Sequence, residues 1–486
     1  MNILNSSRMK LWESQAISAG ATVPDLMRAA VNGCLKVIES EIHAPRPTFV
    51  FCGRGNNGND GLTLAYELEK AGWPVRVILT HPAKDRVKPP FDYLEEFVQR
   101  AVVWPNVPKC YKPKFVIDAM LGLGARGPAH GPTKEIIEWC QQNKNNRDIY
   151  LSVDFPSGID PDDGDGNCFP ADITCAIGAV KKGCVRDKAR VHVGKIFGIT
   201  LPILDTTQSN DGEFVTTADA AALIRRLPPT AHKHGQGRVS VLGGAMPGAA
   251  ILAAKAALRA GAGIVKFYAS PEILPIALAQ APELITCPIN IQEHLPEEFF
   301  HSHAYIIGPG MGRSNIMREH LFEMIPCFDH PVVLDADALF HLASDVEQLR
   351  RISAPFILTP HVKEMERLAG SVCEERAEIA ERWVREKGGT LILKGPHTVI
   401  AEYDRPLAYN STGNAGMATA GTGDVLSGIL AGLLAQGYSP WDAARLGTCL
   451  HGLAADLAVA ETSPQSLIAS DVIASLGKSW NHLLNV

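Results

Sequence analysis

The stretch TFVFCGRGNNGNDGLTLAYELEKAG, Thr48 to Gly72, passes through three textures: an apolar β-rich run, a loop dense in glycine and asparagine, and a run spaced like a helix. A strand leading through a glycine loop into a helix is the opening half of a βαβ unit. The glycines let the backbone turn sharply and approach a ligand, and the following helix offers unpaired N–H groups at its positive dipole end. An anion is therefore easily held there. The asparagines and Asp60 also supply neutral oxygens and a carboxylate, the ligand set a hard cation prefers. A plain turn between strand and helix fits the spacing as well.

Outward from this stretch the alternation continues. VRVIL, KFVIDAM and DIYLSVD read as strands; FDYLEEFVQRA and TKEIIEWCQQN read as helices between them. Such a pattern predicts a parallel, doubly wound sheet. The polar run DTTQSNDGE, Asp205 to Glu213, reads as a linker. Beyond it a second series begins: RVSVLGG, IVKFYA, AYIIGPG, PVVLDADAL, PFILTPH, TLILKG and TVIAEY, with AAILAAKAALRAGAG as a helix. The expected organisation is two α/β domains, 1–210 and 211–486, and the absence of a fixed period marks a fusion of unlike domains.

The whole chain bounds this reading. Its 486 residues exceed one ordinary core, and 46% hydrophobic with 20% charged residues is the composition of folded protein. A formal net charge of −6 gives no basic footprint for nucleic acid. Eleven scattered cysteines fit reduced thiols, hence a cytoplasmic location. No apolar run is long enough to span a bilayer, so no membrane partner is expected. A homo-oligomer is the expected assembly.

In open parallel sheets, ligands bind outside the carboxyl ends of the strands. Three such ends stand out in the first half: GRGNNGNDG; VIDAMLGLGARG, with Asp118; and LSVDFPSGID, with Asp154, Ser157 and Asp160. Gly122, Gly124 and Gly127 satisfy the spacing of a dinucleotide fingerprint. Pro128, Gly131 and Pro132 keep a helix from starting where that fingerprint needs one, so a substrate-covering loop is the better reading. Asp163, Asp165 and Asn167 mimic a calcium loop, but Cys168 and Thr174 stand where its glycine and glutamate belong, leaving a solvated turn. Asp118 and Asp154, on neighbouring strand ends, could hold a cation and leave one carboxylate for acid or base work. With Asn57 and Ser157 they form an oxygen-rich pocket.

GNNGNDG, VIDAMLGLGARG and VDFPSGID, in this order and at these separations, strongly resemble the YjeF N-terminal domain family, the NAD(P)H-hydrate epimerases, a Rossmann-like fold. The resemblance implies substrate contacts at Asn56, Asn57, Gly58, Asn59 and Asp60 and at Gly122, Leu123, Gly124, Ala125, Arg126, Gly127 and Pro128. It also implies K⁺ held by Asn57, Asp118 and Ser157, with Asp154 next to the reacting ring as the catalytic carboxylate. The family's usual loop reads G-x-G-N-N-G-G-D-G; Asn59 stands here at a glycine position.

The densest signal in the second half is NSTGNAGMATAGTGDVLSGILAGLLAQG, Asn410 to Gly437. Gly421, Thr422 and Gly423 form a turn, and Asp424 opens a helix whose first N–H groups point to the space beside it. An anion hole with an adjacent carboxylate suits phosphoryl transfer: the carboxylate takes a hydroxyl proton while backbone donors steady the phosphoryl oxygens. Lys394 could hold a nucleotide phosphate, and His361 could orient a substrate. Asp335 and Asp337 in LDADAL, sent to one face by strand alternation, invite a metal reading, with a structural or supporting role preferred.

Together these segments resemble the ribokinase-like fold, and more narrowly the YjeF C-terminal family of ADP- or ATP-dependent NAD(P)H-hydrate dehydratases. The resemblance implies hydrate contacts at Ala249, Gly312, His361 and Asp424, with Asp424 as the base. Nucleotide contacts follow at Lys394, Gly395, Pro396, His397, Thr398 and Gly423. Lys363 stands at a usual glycine of TPH-x-G-E, and MPGAA replaces a tyrosine-containing loop. The implied activity is bifunctional: epimerisation of R and S hydrates of NADH and NADPH, then dehydration of the S form at the expense of ADP, with Mg²⁺. The rival readings are a small-molecule kinase using the same anion hole, and an N-terminal half that only binds nucleotide or protein.

Overall fold

A computed structural model describes residues 1–107, 112–125, 127–202, 211–290, 293–370 and 375–486. The chain divides into two compact units, Met1–Phe214 and Val215–Val486. Residues 205–210 of the expected linker, and Arg126, lie outside the described residues; Gly212 and Glu213 begin a strand.

The first unit contains β1 (Asn2–Leu4), β2 (Thr48–Cys52), β3 (Val75–Leu79), β4 (Val102–Val103), β5 (Phe115–Ala119), β6 (Ile149–Val153), β7 (Ile173–Ile177), β8 (Val180–Lys181) and β9 (Lys195–Ile199), and β10 (Gly212–Val215) spans the boundary. Seven of them form a parallel sheet in the order β4-β3-β2-β5-β6-β7-β9. β1 is flanked by β8 in parallel and β10 in antiparallel register. Every residue of β2 and β5 is buried. A parallel strand covered on both faces cannot alternate polar with apolar, which is why TFVFC is a continuous apolar run. The strand order reverses between β2 and β5, so the loops after these two strands part around a crevice.

Two helices that the sequence patterning did not bring out precede β2. Ser6–Ser18 is capped by the Asn5 side chain, which accepts from Arg8 N, and Val23–Glu41 by Thr22, which accepts from Asp25 N. Met9, Trp12 and Ala16 of the first helix are buried, a stripe of i, i+3, i+7 spacing that fixes how the helix is rotated.

The second unit contains β11 (Arg238–Leu242), β12 (Ile264–Ala269), β13 (Ile285–Pro288), β14 (Ala304–Ile307), β15 (Val332–Leu334), β16 (Phe356–Leu358), β17 (Thr390–Leu393), β18 (Val399–Glu402) and β19 (Ala408–Asn410). They run in the order β13-β12-β11-β14-β15-β16-β17-β18-β19, parallel through β17 and antiparallel after it. Helices Pro247–Arg259 and Thr422–Ala435 cross with their backbones in near contact. A Cβ at Gly428 would stand 2.1 Å from the Ala253 carbonyl oxygen, and one at Gly432 would stand 2.8 Å from that of Ala257. The small-residue pattern of GILAGLL is thus a packing requirement, and it brings the start of the Asp424 helix to the carboxyl edge of the sheet. Among the described residues no helix is long and apolar enough to cross a membrane.

Candidate functional sites at two sheet edges

In the first unit the crevice opens into a cleft of about 670 Å³. Asn56, Asn57, Asp60, Gly122, Leu123, Gly124, Ala125, Gly127, Pro128 and Asp154 all line it. Gly55 caps the helix Asn56–Lys70 without a side-chain bond, so its first N–H groups are left to the cleft. The helix after GLGARG begins only at Gly131, with proline in its first turn, as the covering-loop reading requires.

Gly58 and Asn59 do not line the cleft. A Cβ on Gly58 would stand 1.9 Å from the Gly53 carbonyl oxygen, so this position closes the loop on itself. Asn59 is buried, its Oδ1 accepting from Arg86 Nη2 at 3.4 Å. Arg86 also donates to the carbonyls of Cys52 and Gly53. In this geometry Gly58 closes the loop and Asn59 meets Arg86 behind it.

Asp118 is fully buried and accepts four hydrogen bonds, from Ser157 N at 2.7 Å, Ser157 Oγ at 2.6 Å, Ser152 Oγ at 3.1 Å and Met120 N at 3.1 Å. Burial nonetheless raises its pKa above the ordinary carboxylate value. Ser157 Oγ accepts in turn from Leu121 N at 2.9 Å. Asn57 Nδ2 donates to the carbonyls of Leu121 and Val153, while its Oδ1 is buried with no partner. Asn57 Oδ1 is thus a buried acceptor left unspent, an oxygen of the type a hard cation takes.

Asp154 stands just past β6 with φ of 74°, a left-handed conformation that is uncommon for a non-glycine residue. Its Oδ1 accepts from Lys181 Nζ, and Lys181 is 1% exposed. The same ammonium donates to the carbonyls of Ile177 at 2.9 Å and Ala179 at 3.1 Å. Lys181 escaped the sequence reading because KK at 181–182 looks like a solvated pair. Glu13 and Lys10 of the first helix also line this cleft. Burial raises the Glu13 carboxyl, and Asp154 adds to it; burial pushes Asp60 well above the ordinary carboxylate range, with Asp154 and Glu13 adding repulsion.

In the second unit the loops after five strands meet. Met246 N donates to Gly310 O at 3.0 Å, and a Cβ at Gly310 would stand 3.3 Å from that of Ala249. Gly312 N donates to Asp337 Oδ2 at 2.9 Å, and Arg313 Nε to Asp337 Oδ1 at 2.7 Å. His361 pairs across a bridge with Lys394, and its Nδ1 caps the helix Val362–Ala369 by accepting from Glu364 N at 3.3 Å. Lys363 is exposed one residue before that glutamate. Gly395, Pro396, His397 and Thr398 form the turn from β17 to β18, held where Arg376 Nη2 donates to Pro396 O at 2.7 Å and Thr398 Oγ1 donates to Gly395 O at 3.0 Å.

The two carboxylates of LDADAL bond to different groups. β15 ends at Leu334, and Ala336 turns the chain through φ of 48°, so strand alternation no longer applies. Asp335 accepts from Lys394 Nζ at 3.0 Å and Ser427 Oγ at 2.7 Å, whereas Asp337 serves Gly312 and Arg313. Both act as supports. A Cβ at Gly423 would lie 3.1 Å from Lys394 Nζ, which places the ammonium at the start of the Asp424 helix. Burial, then repulsion by Asp335, raises the Asp424 carboxyl to about 7, against the pull of Lys394. A carboxylate poised near neutrality beside helix N–H groups and an ammonium can take a proton from a hydroxyl while phosphoryl oxygens are held.

Comparison with known proteins fits this pair of sites. Residues 23–183 match the family model of the YjeF-related protein N-terminus, and residues 239–477 that of NAD(P)H-hydrate dehydratase. The chain is 35% identical to the bifunctional NAD(P)H-hydrate repair enzyme Nnr of Moorella thermoacetica, across 91% of this chain and 90% of that one. It is 32% identical to the Escherichia coli enzyme of the same name, across 95% and 90%. Among solved structures it resembles the ADP/ATP-dependent NAD(P)H-hydrate dehydratase of Bacillus subtilis, co-crystallised with ATP/Mg²⁺, at 30% identity and a TM-score of 0.51, covering 56% of this chain and 99% of that one. The chain belongs to the family of bifunctional NAD(P)H-hydrate repair enzymes.

Proposed function

We propose that the two units divide the repair of hydrated NADH and NADPH between them. The first interconverts the R and S hydrates. The second removes water from the S hydrate at the expense of ADP. The observation that carries this is the pair of unlike carboxylates: Asp154, ion-paired and lining a cleft of about 670 Å³, and Asp424, its pKa raised to about 7 at a helix start.

In the first unit, Asn56, Asn57, Asp60 and the 122–128 loop embrace the substrate, and Asp154 moves a proton at the hydrated carbon. K⁺ would be held by Asn57 Oδ1, Asp118 and Ser157, where the unspent Asn57 oxygen fits it; it would supply fixed positive charge under the loop. In the second unit, Ala249, Gly312 and His361 position the hydrate, while Lys394, residues 395–398 and Gly423 take the nucleotide. Asp424 removes the hydroxyl proton, the oxygen accepts the terminal phosphoryl group of ADP and AMP is left; phosphate then departs as the ring nitrogen lone pair forms C=N⁺, and loss of a proton from the adjacent ring carbon restores the dihydronicotinamide ring. Asp335 and Asp337 are already engaged by Lys394, Ser427, Gly312 and Arg313, so Mg²⁺ would arrive on the nucleotide phosphates. The expected assembly is a homo-oligomer in the cytoplasm.

The test is to incubate the protein with mixed R and S hydrates and either ADP or ATP, following dihydronicotinamide absorbance. Recovery of both epimers is expected. Recovery of one alone would remove the epimerase assignment, and recovery of neither would leave the kinase reading.

A further inference from the structure

We propose that Glu13, on the helix Ser6–Ser18, is the second acid–base group of the first unit's cleft, working with Asp154 on opposite faces of the hydrated carbon. This rests on the epimerase reading of that unit. Lys10, Glu13 and Ile17 all line the cleft, and their spacing of three and four places them on one helix stripe. The neighbouring stripe, Met9, Trp12 and Ala16, is buried. Trp12 packs on the turn that leads to Lys181, where a Cβ at Gly178 would stand 2.6 Å from its ring. Ser6 fixes the start of the helix, donating from N and Oγ to Asp162 at 2.6 and 2.7 Å. Glu13 is thus aimed by packing, and it lies outside residues 23–183 that match the family model.

The chemistry needs two such groups. Hydration of an enamine leaves a hydroxyl on the carbon next to the ring nitrogen. Inverting that carbon requires the C–O bond to break as the nitrogen lone pair forms a C=N⁺ bond. The departing hydroxyl takes a proton from Glu13 and leaves as water. A second water then adds to the other face; its oxygen bonds to carbon, the electron pair returns to nitrogen, and its proton goes to Asp154. One water leaves and one enters, nothing is oxidised or reduced, and solvent resets both carboxyls. One carboxyl cannot serve both faces of a ring at once.

The surroundings divide the roles. Asp154 accepts from the Lys181 ammonium, which holds its carboxyl in place for the proton it takes. The charged groups that act on Glu13 are Asp154 and Lys181 from the sheet edge, Lys10 from its own helix, and Asp60 from the helix Asn56–Lys70. Burial and Asp154 raise the Glu13 pKa more than the lysines lower it, which favours a proton held for delivery.

The experiment measures R-to-S interconversion chromatographically, without nucleotide, for the full chain across pH. Glu13→Gln should lower kcat about 100-fold with little change in KM and abolish the fall in rate on the alkaline side. Glu13→Asp should retain that alkaline fall at about one-tenth of the wild-type rate, and it carries the test should the glutamine variant not fold. An unchanged kcat, a loss confined to KM, or loss of the alkaline limb in Asp60→Asn but not in Glu13→Gln would overturn the proposal. Wild-type protein that interconverts nothing would instead overturn the epimerase reading itself.

Discussion

Each unit sets a lysine–aspartate pair at its sheet edge, and the two pairs are mirror images in exposure. In the first unit the Lys181 side chain is 1% exposed and Asp154 14%; in the second, Lys394 is 21% exposed and Asp335 2%. The first pair offers its carboxylate to the ligand, the second its ammonium. A presented carboxylate suits proton movement on a neutral ring, and a presented ammonium suits phosphate, with a different carboxylate, Asp424, left to act as base. What each pair hides matters as much as what it shows, because the hidden member fixes the position of the other.

The largest effect should come from Asp424→Asn. Dehydration of the purified S hydrate should fall roughly 1,000-fold while R-to-S interconversion keeps its wild-type rate. Asp154→Asn should do the reverse. A single substitution that cost both activities would break the separation of the two sites.

The lysines sharpen the comparison through stability. Lys394→Met strands Asp335 in the interior with only Ser427 as a partner, and should destabilise the second unit by about 3–5 kcal/mol. Lys181→Met strands Asp154 at the cleft, where water reaches it, and takes a donor from the carbonyls of Ile177 and Ala179, the first of which keeps Ala179 N. The expected cost to the first unit is smaller, about 1–3 kcal/mol. Calorimetry of each variant, with ligand-induced shifts assigning the transitions, reads the difference. Equal losses would show that exposure does not set the penalty.

Both sheets were legible in the sequence because apolar runs ended in glycine, aspartate or histidine at strand tips. Asp118, Asp154 and Lys394 stand out in the sequence for the same reason, and Asp424 because it opens a helix behind a glycine turn. Lys181 was not, because its partner is 27 residues away and meets it only when β7 is laid beside β6 and the chain turns back at Gly178. Glu13 was hidden because the stripe it shares, Lys10, Glu13 and Ile17, faces a cleft and mixes charge with an apolar side chain, so it has no periodic signature. In LDADAL the period-2 rule holds only to Leu334, where the strand ends, and Ala336 turns the chain beyond it.

A smaller effect concerns pH. As a base, Asp424 must be ionised, so dehydration should rise with pH and level off above about 7, the value to which burial and Asp335 raise this carboxyl. Asp335→Asn removes a like charge, and the acid limb should move to lower pH by roughly one unit or less, one unit being about 1.4 kcal/mol of interaction. A limb that moved upward would mean that Lys394, released from Asp335, no longer faces Asp424.

The smallest effect is expected from Asn59→Gly, which restores the glycine usual in the family. Asn59 is the fourth residue of the helix Asn56–Lys70, its amide N–H bonded to Gly55 O at 3.2 Å and its carbonyl accepting from Thr63 Oγ1 at 2.8 Å. Its side chain meets Arg86 behind the loop, whereas Asn56 and Asn57 face the cleft. The KM for the hydrate should therefore stay within about twofold of wild type, since an unchanged contact set leaves uniform binding unchanged. Glycine inside a helix costs a few tenths of a kcal/mol more than asparagine, so the variant should unfold slightly earlier in thermal melts of the first unit. A tenfold fall in KM would place the Asn59 side chain in the substrate's path; a small loss of stability with KM unmoved places it where the buried contact to Arg86 does, as a brace that lets the glycine be replaced.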